Sequence, residues 1–224
     1  CGSTSPDFLK EEIAEGDYHI GIAFDGDGDR ILVVSSEGTV LDGDDILYIL
    51  SNDLSNESGV IGTLMTNKAL ELYFEEQGIN FSRADVGDKY VLNALVSNKW
   101  ELGGEPSGHI ICLDAAPTGD AIIAALKLLN AIKINDFSLE KSLEGFTRFP
   151  QTLINLKVDD PNKIILSDRF WSKVTQIEKT LGDQGRVLIR PSGTEPLIRL
   201  MVESTDTSIS ENFCNSLAEL ALEI

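Results

Sequence analysis

From residue 44 to residue 134, strand-length apolar runs alternate with segments of helical period, and that rhythm admits few folds. Residues 45–54, 67–76, 89–97 and 121–134 read as helices, the last rich in Ala, Ile and Leu, while 60–64, 79–84 and 109–113 read as strands. Strands separated by helices pair through crossovers, so a parallel or mixed sheet is expected. Upstream, a short helix over 6–15 precedes strands over 19–24 and 31–34, with a turn at Ser36-Glu37-Gly38. Downstream the order changes. Residues 153–158 alternate, with Ile154, Leu156 and Val158 on one face; a helix over 168–181 and strands over 186–189 and 197–203 follow. A last helix carries Ile209, Phe213, Leu217, Leu220 and Ile224 on one stripe. The expected fold class is α/β: a mixed-sheet α/β domain at 41–134, a C-terminal α+β domain at 135–224, and a partial N-terminal piece at 1–40 that should expose apolar surface.

The chain's 224 residues are 42% hydrophobic, enough for more than one core. Its formal net charge of −19 argues against a nucleic-acid or anionic-membrane partner, since the field repels phosphates. An anionic ligand would have to be held by local basic groups. Cys1, Cys112 and Cys214 are odd in number and widely spaced, which suits a reducing cytoplasm better than a disulfide framework. No apolar run approaches membrane-spanning length, and no basic-then-apolar signal pattern opens the chain. The start at Cys1, without an initiator methionine, suggests a piece of something longer.

Asp25-Gly-Asp-Gly-Asp-Arg30 follows the strand at 19–24. Ligand sites in open α/β sheets favour the carboxyl ends of strands. Three carboxylates at alternating positions can converge on one cation, and hard oxygen donors suit Mg²⁺. An EF-hand is excluded, because counting from Asp25 puts Arg30 where Gly is required and Ser36 where the bidentate Glu belongs. A solvated acidic turn, or a dehalogenase-type phosphatase with Asp25 as nucleophile, are the alternatives for this segment alone.

Two further loops carry polar chemistry. In Gly103-Gly-Glu-Pro-Ser-Gly-His109, Glu105 can accept hydrogen bonds from neighbouring sugar hydroxyls, Ser107 and His109 add polar contacts, and the glycines permit close approach. In Arg190-Pro-Ser-Gly-Thr-Glu-Pro196, Ser192, Thr194 and successive N–H groups, including that of Gly193, can wrap an anionic oxygen, with Arg190 as a bidentate fork and Arg199 nearby. Either segment could instead be a plain turn. Lys89, in Val86-Gly-Asp-Lys-Tyr90, is one more basic candidate at a helix start.

Taken together and in order, these three loops resemble those of the α-D-phosphohexomutase superfamily. Gly21-Ile-Ala-Phe24, Gly62-Thr-Leu-Met65, Val86-Gly-Asp-Lys-Tyr-Val91 and Leu197-Ile-Arg-Leu-Met-Val202 look most like the phosphoglucosamine mutase branch. The resemblance implies that Asp25, Asp27 and Asp29 hold Mg²⁺. It places Arg30, Lys89 and His109 at the reacting centre and Glu105 and Ser107 on sugar hydroxyls. Arg190, Ser192, Gly193 and Thr194, helped by Arg199, would grip the non-reacting phosphate. It also implies interconversion of glucosamine 6-phosphate and glucosamine 1-phosphate, a step of amino-sugar and UDP-GlcNAc biosynthesis, through a phosphoserine and a bisphosphate. The phosphoserine belongs to a Ser-His-Asn-Pro type sequence that does not occur here. The resemblance therefore casts the chain as the end of domain two followed by domains three and four. Its partners would be the hexosamine phosphate and the missing N-terminal domains of the same protein. Pro106 departs from the Asn or Gln usual in that branch, which keeps phosphomannomutase/phosphoglucomutase activity as an alternative, beside a non-catalytic phosphosugar-binding module.

Overall fold

The computed structural model describes residues 2–55, 57–192 and 195–224. The backbone divides into two compact units, Cys1–Thr66 with Leu70–Phe146, and Asn67–Ala69 with Thr147–Ile224.

The first unit opens with α1 (Asp7–Glu15), then β1 (Ile20–Phe24), β2 (Ile31–Ser35) and β3 (Val40–Leu41). These strands form an antiparallel sheet in the order β1-β2-β3. Next come α2 (Gly43–Ser51), β4 (Gly59–Thr63), α3 (Lys68–Gln77), β5 (Asn80–Ala84), α4 (Asp88–Asn98), β6 (Leu102–Gly104), β7 (Ile110–Cys112), α5 (Ala121–Ile132) and the single turn α6 (Leu139–Ser142). The second sheet has the order β5-β4-β6-β7. β4 pairs parallel with both neighbours, whereas β6 and β7 are antiparallel, so the sheet is mixed as its sequence rhythm predicts. All of β4 is buried, as befits a central strand covered on both faces.

Every residue of α2 is buried, so its polar start needs internal partners. A capping box supplies them: Asp42 accepts from the Asp44 N–H, and Asp45 accepts from the Asp42 N–H. α5 is capped by Asp120, which accepts from the Ile122 and Ile123 N–H groups, and buries Ala121, Ala124, Ala125, Leu128 and Ile132. It ends at Ile132 rather than 134, and a 3₁₀ turn over Lys133–Asn135 leaves Ile134 exposed.

The second unit contains β8 (Gln151–Lys157), the short α7 (Pro161–Ile165), α8 (Asp168–Leu181), β9 (Gly185–Pro191), β10 (Leu197–Ser204) and α9 (Thr207–Leu222). Its antiparallel sheet has the order β8-β10-β9. Ser167 caps α8, whose Phe170, Val174, Ile177 and Leu181 are buried at helical spacing against Ile198, Leu200 and Val202. α9 buries Ser210, Cys214, Leu217 and Ala221, so the expected stripe is rotated and Ile209 and Ile224 are exposed. The rotation follows from two polar contacts: Ser210 Oγ lies 2.8 Å from Thr152 Oγ1, and the Cys214 thiol donates to the Leu200 carbonyl. Cys112 and Cys214 are buried free thiols, and burial pushes both up to about 11. No helix among the described residues is long and apolar enough to cross a membrane.

Residues 1–40 behave in two ways. Phe8, Tyr18 and Phe24 are exposed, the apolar surface expected of this piece, yet Ile31, Val33 and Val34 are fully buried, Ile31 and Val33 in the core shared with α2 and α5. In hydrogen exchange, the β2 amides should therefore be protected to the level of β4, and those of α1 should exchange orders of magnitude faster. Equal protection of α1 and β2 would contradict this.

Candidate active-site loops

Residues 25–30 connect β1 to β2, with Phe24 paired to Ile31. The acidic loop is thus the tip of an antiparallel hairpin, not the carboxyl edge of a parallel sheet as the open-sheet rule suggests. Asp25 organises it: its Oδ1 accepts from the N–H groups of Asp29 and Arg30, both at 3.1 Å. Gly28 adopts φ 76°, which lets the chain reverse. One oxygen each from Asp25, Asp27 and Asp29 lies within 4.8 Å of the others. Partial burial opposes charge on Asp25, but N–H donors from Arg30, Asp29 and Gly28 outweigh it and hold this carboxyl below its ordinary range. Burial and the neighbouring Asp25 and Asp27 carboxylates raise Asp29, against the pull of His109. Arg30, exposed, has its Nε 3.9 Å from Asp25 and 4.0 Å from Asp29, too far for hydrogen bonds.

The loop from Gly104 to His109 is pinned to this hairpin and to two helix starts. The Ile31 N–H donates to the Gly108 carbonyl at 3.0 Å, and Arg30 and His109 form a bridge. The Gly43 N–H, at the start of α2, donates to the Pro106 carbonyl at 3.2 Å. Glu105 is buried, and its Oε1 accepts from the Gly87 N–H at the start of α4, which leaves Oε2 for another donor. Ser107 is exposed at the apex. Lys89 lies two residues beyond Gly87, exposed, with Nζ 4.7 Å above the Tyr90 ring. His109 is 3% exposed; its Nδ1 lies 3.1 Å from Asp29 Oδ2, and its Nε2 is buried with no hydrogen-bond partner. Asp29 Oδ1 is likewise buried and without a hydrogen-bond partner.

Sequence reasoning passed over Gly119 and Asp120. The backbone of Gly119 packs against the His109 ring, leaving no room for a Cβ, and the Ala121 N–H donates to the Gly28 carbonyl at 3.0 Å. A Gly-Asp pair just before an apolar helix was the readable signal. The first glycines of the motif, Gly103 and Gly104, belong to β6 rather than to a loop, because close packing on Val91, Ile61 and Ile110 demands them there. A cavity of about 420 Å³ opens elsewhere in this unit, bounded by Leu50, Leu102, Leu126 and the Lys127–Asp114 ion pair, and none of these loop residues lines it.

In the second unit, Arg190 of β9 stands opposite Arg199 of β10. The Ser192 N–H donates to the Leu197 carbonyl at 2.9 Å, and Ser192 Oγ accepts from the Glu195 N–H. Gly193 and Thr194 lie outside the described residues. Like charges directly opposite on a sheet repel.

Family models decide the relationship. Residues 42–149 match the phosphoglucomutase/phosphomannomutase alpha/beta/alpha domain III, and residues 153–220 match the C-terminal domain of the same family. The chain belongs to the phosphoglucomutase/phosphomannomutase family. It is 47% identical to the phosphoglucosamine mutase of Janthinobacterium sp. (strain Marseille), covering 97% of this chain and 49% of that protein. It is 45% identical to the phosphoglucosamine mutase of Hahella chejuensis, covering 98% and 50%. This family member therefore spans about half the length of the curated relatives it matches. Among solved structures, a phosphoglucomutase/phosphomannomutase family protein from Burkholderia thailandensis matches at TM-score 0.80 and 23% identity, covering 99% of this chain and 50% of that one. Aspergillus fumigatus N-acetylphosphoglucosamine mutase, in complex with GlcNAc-6P and magnesium, matches at TM-score 0.76 and 20% identity, covering 99% and 56%.

The loop packing yields a paired test. Gly108, at φ 88°, has the Ile31 carbonyl where a Cβ would go, whereas Gly28, at φ 76°, faces open space. Gly108→Ala should cost about 2–4 kcal/mol in denaturant unfolding, and Gly28→Ala only about 1–2 kcal/mol. Equal costs would show that the close approach at Gly108 is not limiting.

Proposed function

We propose that this chain carries the metal, sugar and distal-phosphate sites of a phosphohexomutase that interconverts glucosamine 6-phosphate and glucosamine 1-phosphate. One observation carries the reading: the three carboxylates of the β1–β2 hairpin and the Glu105 loop are held side by side by the pairing of residues 30–31 with 108–109. An isolated acidic turn, or a phosphatase nucleophile, would not need a buried carboxylate on the next loop. The partition proposed is 1–40 as the end of domain two, then domain three and domain four with their boundary near residue 147, later than the 134/135 division expected from sequence because Leu139 and Phe146 pack into the first unit's core. The buried free thiols support a reducing, cytoplasmic setting.

The donor set fits Mg²⁺. It offers only hard oxygens, and Asp29 Oδ1 is a buried acceptor with no hydrogen bond to satisfy it. When bound, the ion would neutralise charge on the phosphoryl group in transit. Asp25, Asp27 and Asp29 would hold it. Arg30, exposed beside them, is free to meet the oxygens of the transferring group, and Lys89 adds a second exposed cation. Glu105 Oε2 and Ser107 accept sugar hydroxyls at a loop whose backbone is tied at Ile31, Gly43 and Gly87. Arg190, with Ser192, Gly193, Thr194 and Arg199, takes the phosphate that does not react. The phosphoserine donor lies, on this reading, in the part of the relatives that this chain does not span.

Pro106 favours a second reading, neutral hexose phosphates, because it presents no amide side chain to the sugar and its carbonyl is engaged by Gly43. The protein that carries this sequence should turn over glucosamine 6-phosphate with Mg²⁺ in preference to the glucose and mannose phosphates. Turnover confined to the neutral sugars would move the assignment to phosphoglucomutase/phosphomannomutase, and none at all would leave a binding module. In the same assay Arg190→Ala should raise KM roughly 10–100-fold through loss of a charged hydrogen bond. An unchanged KM would remove Arg190 from the phosphate site.

A further inference from the structure

We propose that His109 is a positioning residue: its Nδ1–H holds the Asp29 carboxylate so that Oδ1 is presented to the cation. The loop that reads the sugar thereby also sets a metal ligand. This rests on the metal reading of Asp25, Asp27 and Asp29.

Four observations converge on it. His109 is 3% exposed, so its ring is held by its surroundings rather than by solvent. Its Nδ1 lies 3.1 Å from Asp29 Oδ2, a hydrogen-bond distance. Gly119 packs against the ring where any Cβ would collide with it, and the Arg30–His109 bridge fixes its backbone, so the imidazole has little freedom to turn. Nε2 is buried and meets no hydrogen-bond partner, so the proton belongs on Nδ1, the nitrogen that faces a carboxylate. Asp29 is then divided by function. Oδ2 is occupied by histidine, while Oδ1, which has no hydrogen-bond partner, stays available to a cation. Hydrogen bonds of this kind orient ligating carboxylates, and their loss weakens metal binding.

The test is Mn²⁺ binding to this chain, followed by titration calorimetry, with thermal unfolding of each variant alongside. His109→Ala should weaken Mn²⁺ binding roughly 10–100-fold. His109→Asn places an amide nitrogen where Nδ1 stood and should restore affinity to within about threefold, whereas His109→Gln reaches towards Nε2 and should stay as weak as alanine. The Asn and Gln variants are both polar, so their comparison holds even if the alanine variant fails to fold. Equal affinity of wild type and His109→Gln, or an Asn variant as weak as Gln, would overturn the positioning role while leaving the metal site intact. Wild-type protein that binds no Mn²⁺, like the Asp27→Asn control, would overturn the metal reading and the positioning role with it.

Discussion

The Ile31 N–H donates to the Gly108 carbonyl at 3.0 Å, and beside it Arg30 and His109 pair across the same gap. Without this short ladder, the hairpin bearing Asp25, Asp27 and Asp29 and the loop bearing Glu105 would be separate surface turns. Surface turns are ordinarily mobile, and a site assembled from two of them would pay conformational entropy on every binding event. Here the hairpin tip is tied three times: to Gly108, to the start of α5 through Gly28 and Ala121, and to itself through Asp25. The ladder exists only because residue 108 lacks a side chain at φ 88°.

That rigidity has an electrostatic cost. Three carboxylates are confined within 4.8 Å, and the Arg30 guanidinium stands 3.9 Å from Asp25. Part of the repulsion is absorbed locally. Backbone N–H groups hold the Asp25 carboxyl below its ordinary range, and Asp29 is raised by burial and by the carboxylate beside it. Local structure that works against itself in this way is usually found where a ligand completes it. The 3.1 Å contact between His109 Nδ1 and Asp29 Oδ2 and the Asp29 oxygen without a hydrogen-bond partner belong to the same arrangement.

Much of the architecture could be read beforehand, and the failures have identifiable causes. Long periodic segments such as α5 and α8 were legible because their apolar spacing and their caps, Asp120 and Ser167, agree. β6 was not, since Leu102-Gly103-Gly104 looks like a turn until its neighbours are seen to leave no room for side chains. β3 and the single-turn helices α6 and α7 are too short to show a period. The α9 stripe was misplaced because Ser210 and Cys214 are inward-facing by hydrogen bonding, which hydropathy does not register. For the site, residue types and order were legible. The burial of His109 and the seat provided by Gly119 were not, because both depend on contacts distant in sequence.

On the proposed function, a chain with a formal net charge of −19 must hold an anion in its second unit. At physiological ionic strength the summed field is screened beyond about 8 Å, so what an anionic group meets at close range is set by its immediate neighbours. β9 and β10 place Arg190 and Arg199 directly opposite each other, next to a turn whose Ser192 already organises the backbone. Two guanidinium groups facing across a ladder oppose folding slightly unless something negative lies between them. On the proposed function the acidic surface elsewhere would then work as selectivity. On that reading it would disfavour extended polyanions, which must contact a wide area, more than a small phosphate ester, which meets only its immediate neighbours.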